Sequence, residues 1–551
     1  MPDLADTIWT AEHKLAWKFV GEGKNIVVHG PAGTGKSVWL RAVCKECRNL
    51  GEVTYVTATT GTAAYNLNVQ AITLHAWYGA KETLSPHYLI KHMHPEQKAR
   101  LCSTDVLIVD ECSMLSGSFF EVMDTVLCSI RNVHNRAFGG IQLILLGDVM
   151  QLPPVCDKKR NGAGSSDGPE SVDRLIENKR FTAAIDELVG FTKVLRQKDP
   201  DFVELLQSAR VGDLSDTHMQ ILQRRVFNRV RFEKFLAEEK KKGNLTVPTF
   251  LHPNNKVVHD WNEEKMSELE GESVSFETHW CVYSAVEYRQ ESDGSNKRIP
   301  SRYRPEKTTS QDLRCLLVRS NIPIENSTEL KVGAQVMLVR NIDTVNGLTN
   351  GSTGVIVHIG EVPEGSDLPN WRKTVLPDIV SNMDRMFPEV SAEETVWVQF
   401  RDIPVPLPIG RYQWKGATEI SDLKVPEKYW SKYAVASQIP LILAWALSIH
   451  KAQGKTLPSA YIYLGPSIRT HGQAYTALSR VVSMDGLFIS ELKKSAFIVD
   501  KEFRRFANFV DHVQETRHKH LLEQFADSKK RTLTLEEHKD TDQTPPKKQK
   551  L

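Results

Sequence analysis

The sequence predicts an α/β protein in which parallel sheets are covered by helices on both faces. Short β-branched runs alternate with helical stretches over the first 200 residues, which is the doubly wound pattern. These runs are almost continuously apolar, as expected for strands buried on both faces. The alternation returns near the end of the chain, at residues 439–450, 459–465 and 486–490. At about 150 residues per domain, the length predicts about three to four domains.

The individual elements follow from the same patterns. Four buried strands are predicted in the first part of the chain, at residues 25–30, 53–59, 106–111 and 142–148. Helices are predicted at Lys36–Asn49 and Ser118–Val133, from Phe202 to about Lys242, and over 499–526. Residues 249–262 read as a strand followed by a helix. Strands of a small β unit are predicted at 332–341, 352–359 and 395–400, whereas 157–173 and 270–320 are polar and predicted to be irregular.

Composition limits the classes of protein. The chain has 70 basic and 68 acidic residues, a net charge of +2, which by itself argues mildly against a nucleic-acid partner. A local basic groove can, however, exist within a neutral total. No apolar run reaches the ~18–20 residues that span a bilayer, and no secretory signal is visible, so we expect an intracellular protein without a membrane partner. Cys44 and Cys47 lie on a predicted helix and lack a second CxxC pair, so Mg²⁺ is the only metal predicted.

A phosphate-binding loop is the strongest single motif. It follows a predicted strand, opens a predicted helix and matches G-x-x-x-x-G-K-S. Its residues are Gly30, Pro31, Ala32, Gly33, Thr34, Gly35, Lys36 and Ser37. Glycines let backbone N–H groups point at phosphates, the helix N-terminus adds partial positive charge, Lys36 reaches the β- and γ-phosphates, and the Ser37 hydroxyl can ligate Mg²⁺.

An acidic pair completes the predicted hydrolytic site. Asp110 and Glu111 end an apolar strand about 75 residues after the loop. Asp110 would hold Mg²⁺ and Glu111 would polarise the attacking water. These features predict a Mg²⁺-dependent nucleotide hydrolase, but they leave open what the hydrolysis drives.

Longer segments resemble a known family. IVDECSM (108–114), FGGIQLILLGDVMQLPPV (138–155), LAWALSIHKAQGKTL (443–457) and GQAYTALSRVVSMDGL (472–487) together resemble superfamily-1 DNA helicases of the PIF type, with RecD as a more distant relative. The resemblance implies two RecA-like P-loop motor domains and a small SH3-like β insertion in the second. It also implies an ATP-driven motor that moves 5′→3′ on single-stranded DNA and unwinds 5′-tailed duplex DNA, acting as a monomer in solution.

The resemblance assigns roles around the nucleotide. Gln151 is similar to the family's γ-phosphate sensor, and Arg196 and Arg480 are similar to two arginine fingers that reach across the cleft from the second motor domain. A planar guanidinium there would stabilise the transferring phosphoryl group only when the cleft is closed. His13 stands where the family has a glutamine that reads adenine. An imidazole can make only one of the two hydrogen bonds of an amide, which weakens the expected preference for ATP.

The resemblance also implies a path for the DNA strand. In the first motor domain, small residues and backbone N–H groups would approach phosphates without using charge. Trp77 and Tyr78 either stack on bases or belong to the core. The residues expected to contact DNA are Thr60, Gly61, Thr73, His75, Trp77, Asn254, Asn255, His450, Lys451, Gln453, Gln473, Ala474 and Tyr475.

The expected domain division follows from these assignments. The first motor domain would span 1–190, and the second would span 191–350 and 438–526, interrupted by the β insertion at 351–437. A basic tail, 527–551, is predicted to be disordered, and its end reads either as a nuclear import signal or as a solubilising segment. Two other functions remain open: a RecD-like motor subunit of a nuclease complex, and a non-motor P-loop switch.

Overall fold

The computed structural model describes most of the chain between residues 9 and 527. The residues outside this description are 1–8, 68, 70, 80–84, 94, 155–172, 243–245, 284–287, 291–295, 299–305, 308–325, 344–345, 347, 363–365, 367, 388–390, 402, 416–432 and 528–551. The predicted tail, the proposed import signal, nearly all of the 157–173 segment and much of 270–320 therefore lie outside the described residues. Within them, no helix is long and apolar enough to cross a membrane.

The first motor domain is built on a parallel sheet in the order β3-β2-β4-β5-β1-β6. Its strands are β1 (Ile26–His29), β2 (Thr54–Ala58), β3 (Ile72–Thr73), β4 (Val106–Asp110), β5 (Gln142–Gly147) and β6 (Glu187–Gly190). Its helices are α1 (Ala11–Gly21), α2 (Lys36–Asn49), α3 (Gly61–Asn66), α4 (Leu74–Tyr78), α5 (Pro86–His92), α6 (Pro95–Ser103), α7 (Gly117–Arg131) and α8 (Lys179–Ala184). The four predicted strands and two predicted helices are confirmed.

The apolar strands of this sheet supply two separate cores. Along β4, Leu107 packs with the α7 side, whereas Ile108 packs with α1 and α2. β1 and β5 divide their residues between the same two cores. Successive side chains of a strand point to opposite faces, so helices on both faces require apolar residues at nearly every position. The doubly wound fold class is thereby confirmed.

The second motor domain has a smaller parallel sheet in the order β21-β7-β22-β23. Its strands are β7 (Thr249–His252), β21 (Ala446–Ser448), β22 (Ala460–Leu464) and β23 (Leu487–Leu492). Its helices are α9 (Pro200–Val211), α10 (Asp216–Arg224), α11 (Arg229–Lys241), α12 (Asn255–Ser267), α15 (Ile449–Ala452) and α16 (Gln473–Leu478). The predicted helical region from Phe202 to Lys242 is thus three helices, and the predicted strand and helix at 249–262 are β7 and α12.

Antiparallel sheets lie between β7 and β21 in the chain. A five-stranded sheet in the order β17-β16-β15-β14-β20 covers helices α13 (Trp371–Thr374) and α14 (Pro377–Met386). Its strands are β14 (Gln335–Leu338), β15 (Thr353–Ile359), β16 (Val396–Phe400), β17 (Leu407–Ile409) and β20 (Leu441–Leu443). The sheet therefore begins before and ends after the predicted insertion boundaries of 351 and 437.

The remaining strands show that part of 270–320 is regular. They are β8 (Val274–Glu277), β9 (His279–Tyr283), β10 (Tyr288–Gln290), β11 (Asn296–Arg298), β12 (Glu306–Lys307), β13 (Ser327–Leu330), β18 (Tyr412–Lys415) and β19 (Tyr433–Gln438). β8 pairs with β13, and β9 pairs with β12 and β19. The prediction of irregular chain was wrong here because the partner strands lie far away in the sequence.

The last helices return to the first motor domain. α17 (Lys501–Thr516) packs on β6, and α18 (Lys519–Asp527) packs on α1. The Gln514 side-chain oxygen accepts a hydrogen bond from the Gly190 N–H at 2.7 Å, and His518 Nε2 lies 3.0 Å from a Glu187 oxygen. The assignment of residues 501–526 to the second motor domain is therefore corrected. Their apolar faces cover the edge of the first sheet, which a sequence pattern cannot reveal.

Candidate functional site

The phosphate loop lies between β1 and α2, as predicted. Gly33 and Gly35 adopt φ values of 82° and 89°, a region that strongly favours glycine. Lys36 donates from Nζ to the carbonyl oxygens of Gly30 and Pro31, at 2.6 and 2.8 Å. A Cβ atom on Gly30 would lie 2.3 Å from the carbonyl oxygen of Phe191, so this position must be glycine. The loop has the conformation that exposes N–H groups to a phosphate.

The acidic pair ends β4, the strand between β2 and β5. The Asp110 Oδ1 atom accepts a hydrogen bond from the Glu111 N–H at 3.0 Å. Burial and the neighbouring Glu111 carboxylate raise the pKa of Asp110 to about 7. Glu111 has φ 53°, an uncommon and strained conformation for a residue with a side chain. Two adjacent carboxylates, one of them buried, carry negative charge that a bound cation would stabilise.

The site fits a magnesium ion that is shared with the nucleotide. Asp110 supplies a carboxylate, and Ser37 is exposed in the first turn of α2. Among the described residues, no group of three or more His, Cys, Asp or Glu side chains is arranged to hold a metal. Mg²⁺ typically takes one or two protein ligands together with substrate phosphates. Ser37 and Asp110 would therefore hold Mg²⁺ only with nucleotide, where it would neutralise phosphate charge.

The two predicted arginine fingers meet at the cleft, with the backbone of Arg196 bonded to the phosphate loop and its side chain bonded to the residue before Arg480. The Leu195 and Arg196 N–H groups donate to the Gly33 carbonyl at 2.7 and 3.2 Å. Arg196 Nη1 donates to the Ser479 carbonyl at 3.2 Å, next to Arg480. Burial and the nearby Arg196 lower the pKa of Arg480 to about 10. The structure thus brings together two arginines that are 284 positions apart in the sequence.

The predicted sensor contacts one of these arginines. Arg480 Nη2 donates to the Gln151 side-chain oxygen at 3.5 Å and to the Ser479 hydroxyl at 2.7 Å. Gln151 is buried, and its Nε2 lies 3.5 Å from Asp148 Oδ2. A backbone contact also connects the two motor domains here, because a Cβ atom on Gly472 would lie 2.2 Å from the Gln151 carbonyl oxygen. Gln151 and Arg480 are therefore in contact, as their predicted roles require.

Sequence reasoning missed a buried charged cluster beside the loop. Arg210, on α9, donates from Nε to both oxygens of Asp148 at 3.2 Å and from Nη2 to Oδ1 at 2.9 Å. Its Nη2 also donates to His29 Nε2 at 2.7 Å. Burial lowers the pKa of His29 to about 3, so its ring is neutral at pH 7 and can accept this bond. The cluster joins β1 and β5 to the second motor domain. In the sequence, the feature that could have indicated it was Asp148, the acidic residue of the GDVMQ segment.

Comparisons with known proteins agree with this geometry. A family model described as PIF1-like helicase matches residues 11–220, and a model of the DNA helicase Pif1 2B domain matches residues 318–359. The ATP-dependent DNA helicase PIF1 of Emericella nidulans is 30% identical over 527 residues, which cover 92% of this chain and 64% of that protein. The human protein of the same name is 29% identical, and the match covers 90% of this chain and 63% of the relative.

This chain is therefore similar to PIF1-like helicases over most of its length. The crystal structure of Pif1 helicase from Candida albicans superposes with a TM-score of 0.63 and 26% identity, covering 92% of this chain and 100% of that one. Bacteroides Pif1 in complex with ADP-AlF4 superposes with a TM-score of 0.64 at 21% identity, covering 92% of this chain and 98% of that one. The fold is therefore that of two RecA-like motor domains. The chain spans less than two-thirds of the length of these two curated relatives, 64% and 63% respectively.

His13, which the sequence analysis predicts to read adenine, already has one of its ring nitrogens engaged in hydrogen bonds. Nδ1 lies 2.6 Å from the Thr10 hydroxyl and accepts from the Thr10 N–H at 3.2 Å, capping α1. The ring packs on Phe191 with centroids 4.2 Å apart. Burial lowers the pKa of His13 to about 4. Nε2 faces the phosphate loop, 3.3 Å from where a Gly35 Cβ would lie. Adenine reading by His13 stays a prediction.

In the first motor domain, Thr60, Gly61 and His75 are half-buried, whereas Thr73 and Trp77 are buried. The Thr60 and Thr73 hydroxyls accept hydrogen bonds that cap α3 and α4, with Gly61 the first residue of α3. His75 stacks on Phe119 with centroids 4.7 Å apart. Trp77 is 0% exposed and packs in the core under the sheet. Stacking of Trp77 on bases is therefore wrong for this structure, because its ring fills the space between α4 and the strands.

In the second motor domain, some of the residues predicted to contact DNA are exposed and others are buried. Asn254, Asn255 and Lys451 are exposed and His450 is half-buried, as a DNA surface requires. The α16 residues are buried, with Gln473 6%, Ala474 2% and Tyr475 3% exposed. The Tyr475 hydroxyl accepts a hydrogen bond from the Ala32 N–H of the phosphate loop at 3.0 Å.

The α16 prediction is therefore corrected, and so is that of Gln453. α16 packs between the motor domains, where a strand cannot reach its side chains. Gln453 is 3% exposed, and its Nε2 donates to Glu111 Oε2 at 3.1 Å. Helix α16 and Gln453 therefore belong to the nucleotide cleft, because the chain folds these segments inward toward the first sheet.

Proposed function

We propose that this chain is an ATP-dependent DNA helicase that moves 5′→3′ on single-stranded DNA and unwinds duplex. The observation that carries the proposal is the contact across the cleft, where Arg196, bonded to the phosphate loop, also bonds Ser479, and Arg480 bonds Gln151. A site completed only by a second domain ties hydrolysis to the relative position of the two domains. A non-motor switch has no need for such a set.

The proposed hydrolysis uses the groups that the structure assembles. Lys36 and the loop N–H groups bind the phosphates, and Glu111 accepts the proton of the attacking water. Gln151 connects the γ-phosphate position to Arg480 through their hydrogen bond. Bound Mg²⁺ would neutralise charge on the phosphates. The closed cleft excludes water other than the nucleophile.

The proposed DNA surface is narrower than the sequence predicted. It comprises the exposed Asn254, Asn255 and Lys451 and the half-buried Thr60, Gly61, His75 and His450. Bacteroides Pif1 has been crystallised bound to ssDNA, and single-stranded DNA is the proposed partner here, with 5′-tailed duplex as the substrate. We assign nucleotide binding to residues 1–190, the arginines to 191–350 and 438–500, and an accessory role to the insertion at 351–437. We propose that the chain works as a monomer.

A strand-displacement assay tests the proposal. The purified chain is given ATP, Mg²⁺ and matched 5′-tailed, 3′-tailed and blunt duplexes, and ATP hydrolysis is measured with and without single-stranded DNA. We expect displacement of the 5′-tailed duplex only, with hydrolysis stimulated by the single strand. Hydrolysis indifferent to DNA would favour a switch, and stimulated hydrolysis without displacement would favour a RecD-like subunit that needs partners.

A further inference from the structure

Gln453 crosses from the second motor domain to the acidic pair of the first. It directly follows α15, which begins at the Ser448 cap. Its Nε2 donates to Glu111 Oε2 at 3.1 Å, 342 positions away in the chain. Gln453 is 3% exposed, and its Oε1 has no hydrogen-bond partner among the described residues. A buried amide with an unmatched acceptor is uncommon and calls for a functional explanation.

The backbone of Glu111 is already fixed, which leaves only its side chain to be placed. The Glu111 carbonyl accepts from the Thr59 hydroxyl at 3.0 Å and from the Met114 N–H at 3.1 Å. Its φ of 53° holds the residue at a sharp turn after β4. A glutamate side chain still has several rotatable bonds, and a general base must be held within hydrogen-bond reach of its proton. The bond from Gln453 restricts that freedom.

We propose that Gln453 is a positioning residue for the catalytic carboxylate of Glu111. The inference rests on the proposed function. During hydrolysis the water oxygen bonds to the γ-phosphorus, the bond from that phosphorus to the β–γ bridging oxygen breaks, and the water proton passes to Glu111. The amide of Gln453 occupies one carboxylate oxygen and leaves the other for that proton. The unmatched Oε1 of Gln453 provides a second acceptor beside the same carboxylate.

On the same segment, the residue that positions Glu111 differs from the residue that is exposed to DNA. Lys451, two positions earlier, is exposed, whereas Gln453 points into the cleft and Lys455 is again buried. A phosphate strand on the surface would meet Lys451 but not Gln453. Substitution of Gln453 should therefore change the rate of hydrolysis without changing the affinity for DNA.

The test compares Gln453→Ala with Thr456→Ala, an exposed neighbour on the same loop. Four quantities are measured: kcat and KM for ATP without DNA, the Kd of a fluorescent ADP analogue, the Kd of a labelled single strand, and the midpoint of thermal unfolding. We expect Gln453→Ala to lower the DNA-free kcat at least about tenfold. The KM and both Kd values should stay within about twofold, and Thr456→Ala should match the wild type in all four.

Gln453→Glu gives a second readout and is close in shape to the native side chain. A carboxylate next to Glu111 removes the donor and makes it harder for both acids to be ionised. In a plot of kcat against pH, the acidic limb should move to higher pH, which a loss of packing alone would not produce. If Gln453→Ala keeps the wild-type DNA-free kcat and weakens single-strand binding, the inference is overturned. If the wild type itself shows no hydrolysis stimulated by DNA, the proposed function fails instead.

Discussion

Replacement of Arg210 by methionine tests whether the buried cluster beside the phosphate loop holds the two motor domains together. Asp148 is 0% exposed, and Arg210 is its cationic partner at 2.9–3.2 Å. Burial alone would raise the pKa of Asp148, but the Arg210 guanidinium holds it well below its ordinary value. The stability from this carboxylate is therefore present above about pH 4 and is lost as the pH falls below its folded pKa. At pH 7 it is fully present.

The expected loss of stability follows from the unpaired carboxylate that the substitution leaves buried. Arg210→Met leaves a buried carboxylate with only the Met150 N–H at 3.1 Å and the Gln151 amide at 3.5 Å. Removing one partner of a buried ion pair typically costs about 3–5 kcal/mol. For a folding unit of roughly 150–250 residues, that corresponds to a thermal midpoint lower by about 6–20 °C. Asp148→Leu combined with Arg210→Met should recover much of this loss, because neither charge is then left buried.

Thermal unfolding of the wild type, both single variants and the double variant at pH 7 provides the measurement. The cycle isolates the coupling between Asp148 and Arg210, which should exceed about 3 kcal/mol because each single variant leaves a buried charge unpaired and the double variant leaves none. Hydrolysis at 20 °C should also fall, since Asp148 contacts the Gln151 amide. An Arg210→Met midpoint within 1–2 °C of the wild type, or strictly additive single effects, would refute the reasoning.

Three further predictions address other parts of the site. Lys36→Ala should abolish ATP hydrolysis but leave single-strand affinity unchanged in an anisotropy titration, because the loop binds phosphate of the nucleotide only. Trp77→Ala should cost about 3–5 kcal/mol of unfolding free energy in thermal melts, with unchanged DNA-free hydrolysis per folded molecule; weaker DNA binding without destabilisation would contradict its burial. Burial lowers the pKa of Lys455, which contacts Asn350, to about 7. Folding therefore releases a proton between pH 7 and about 10.5, and stability should rise there by roughly 1 kcal/mol per pH unit. Lys455→Met should flatten this rise in melts recorded from pH 6.5 to 9.

Elements whose signals are local were predictable. Each buried strand of the first sheet needs apolar residues on both faces, so β1, β4 and β5 could be located from a few neighbouring letters. The phosphate loop was equally local, because its glycines, lysine and serine act within one turn between a strand and a helix. Strands β8 and β9 were missed because their stability comes from distant partners.

The surface exposure of individual side chains was not predictable. Trp77, Gln453 and Tyr475 occur in segments that the family resemblance associates with DNA, yet all three are buried. A segment of a few residues can carry one side chain to solvent and the next into the cleft, and the sequence pattern does not distinguish them. The packing of α17 on the first domain was likewise not predictable, because the sequence does not show which surface its apolar face contacts.

The sequence by itself determined the fold class, the nucleotide-binding loop, the acidic pair and the resemblance to PIF-type helicases. Each of these depends on neighbouring residues and on backbone geometry that those residues dictate. Only the tertiary structure decided which side chains meet across the cleft, including Gln453 with Glu111 and Arg210 with Asp148. Such contacts join residues 342 and 62 positions apart, and they exist because the two parallel sheets and their helices pack against each other across the cleft.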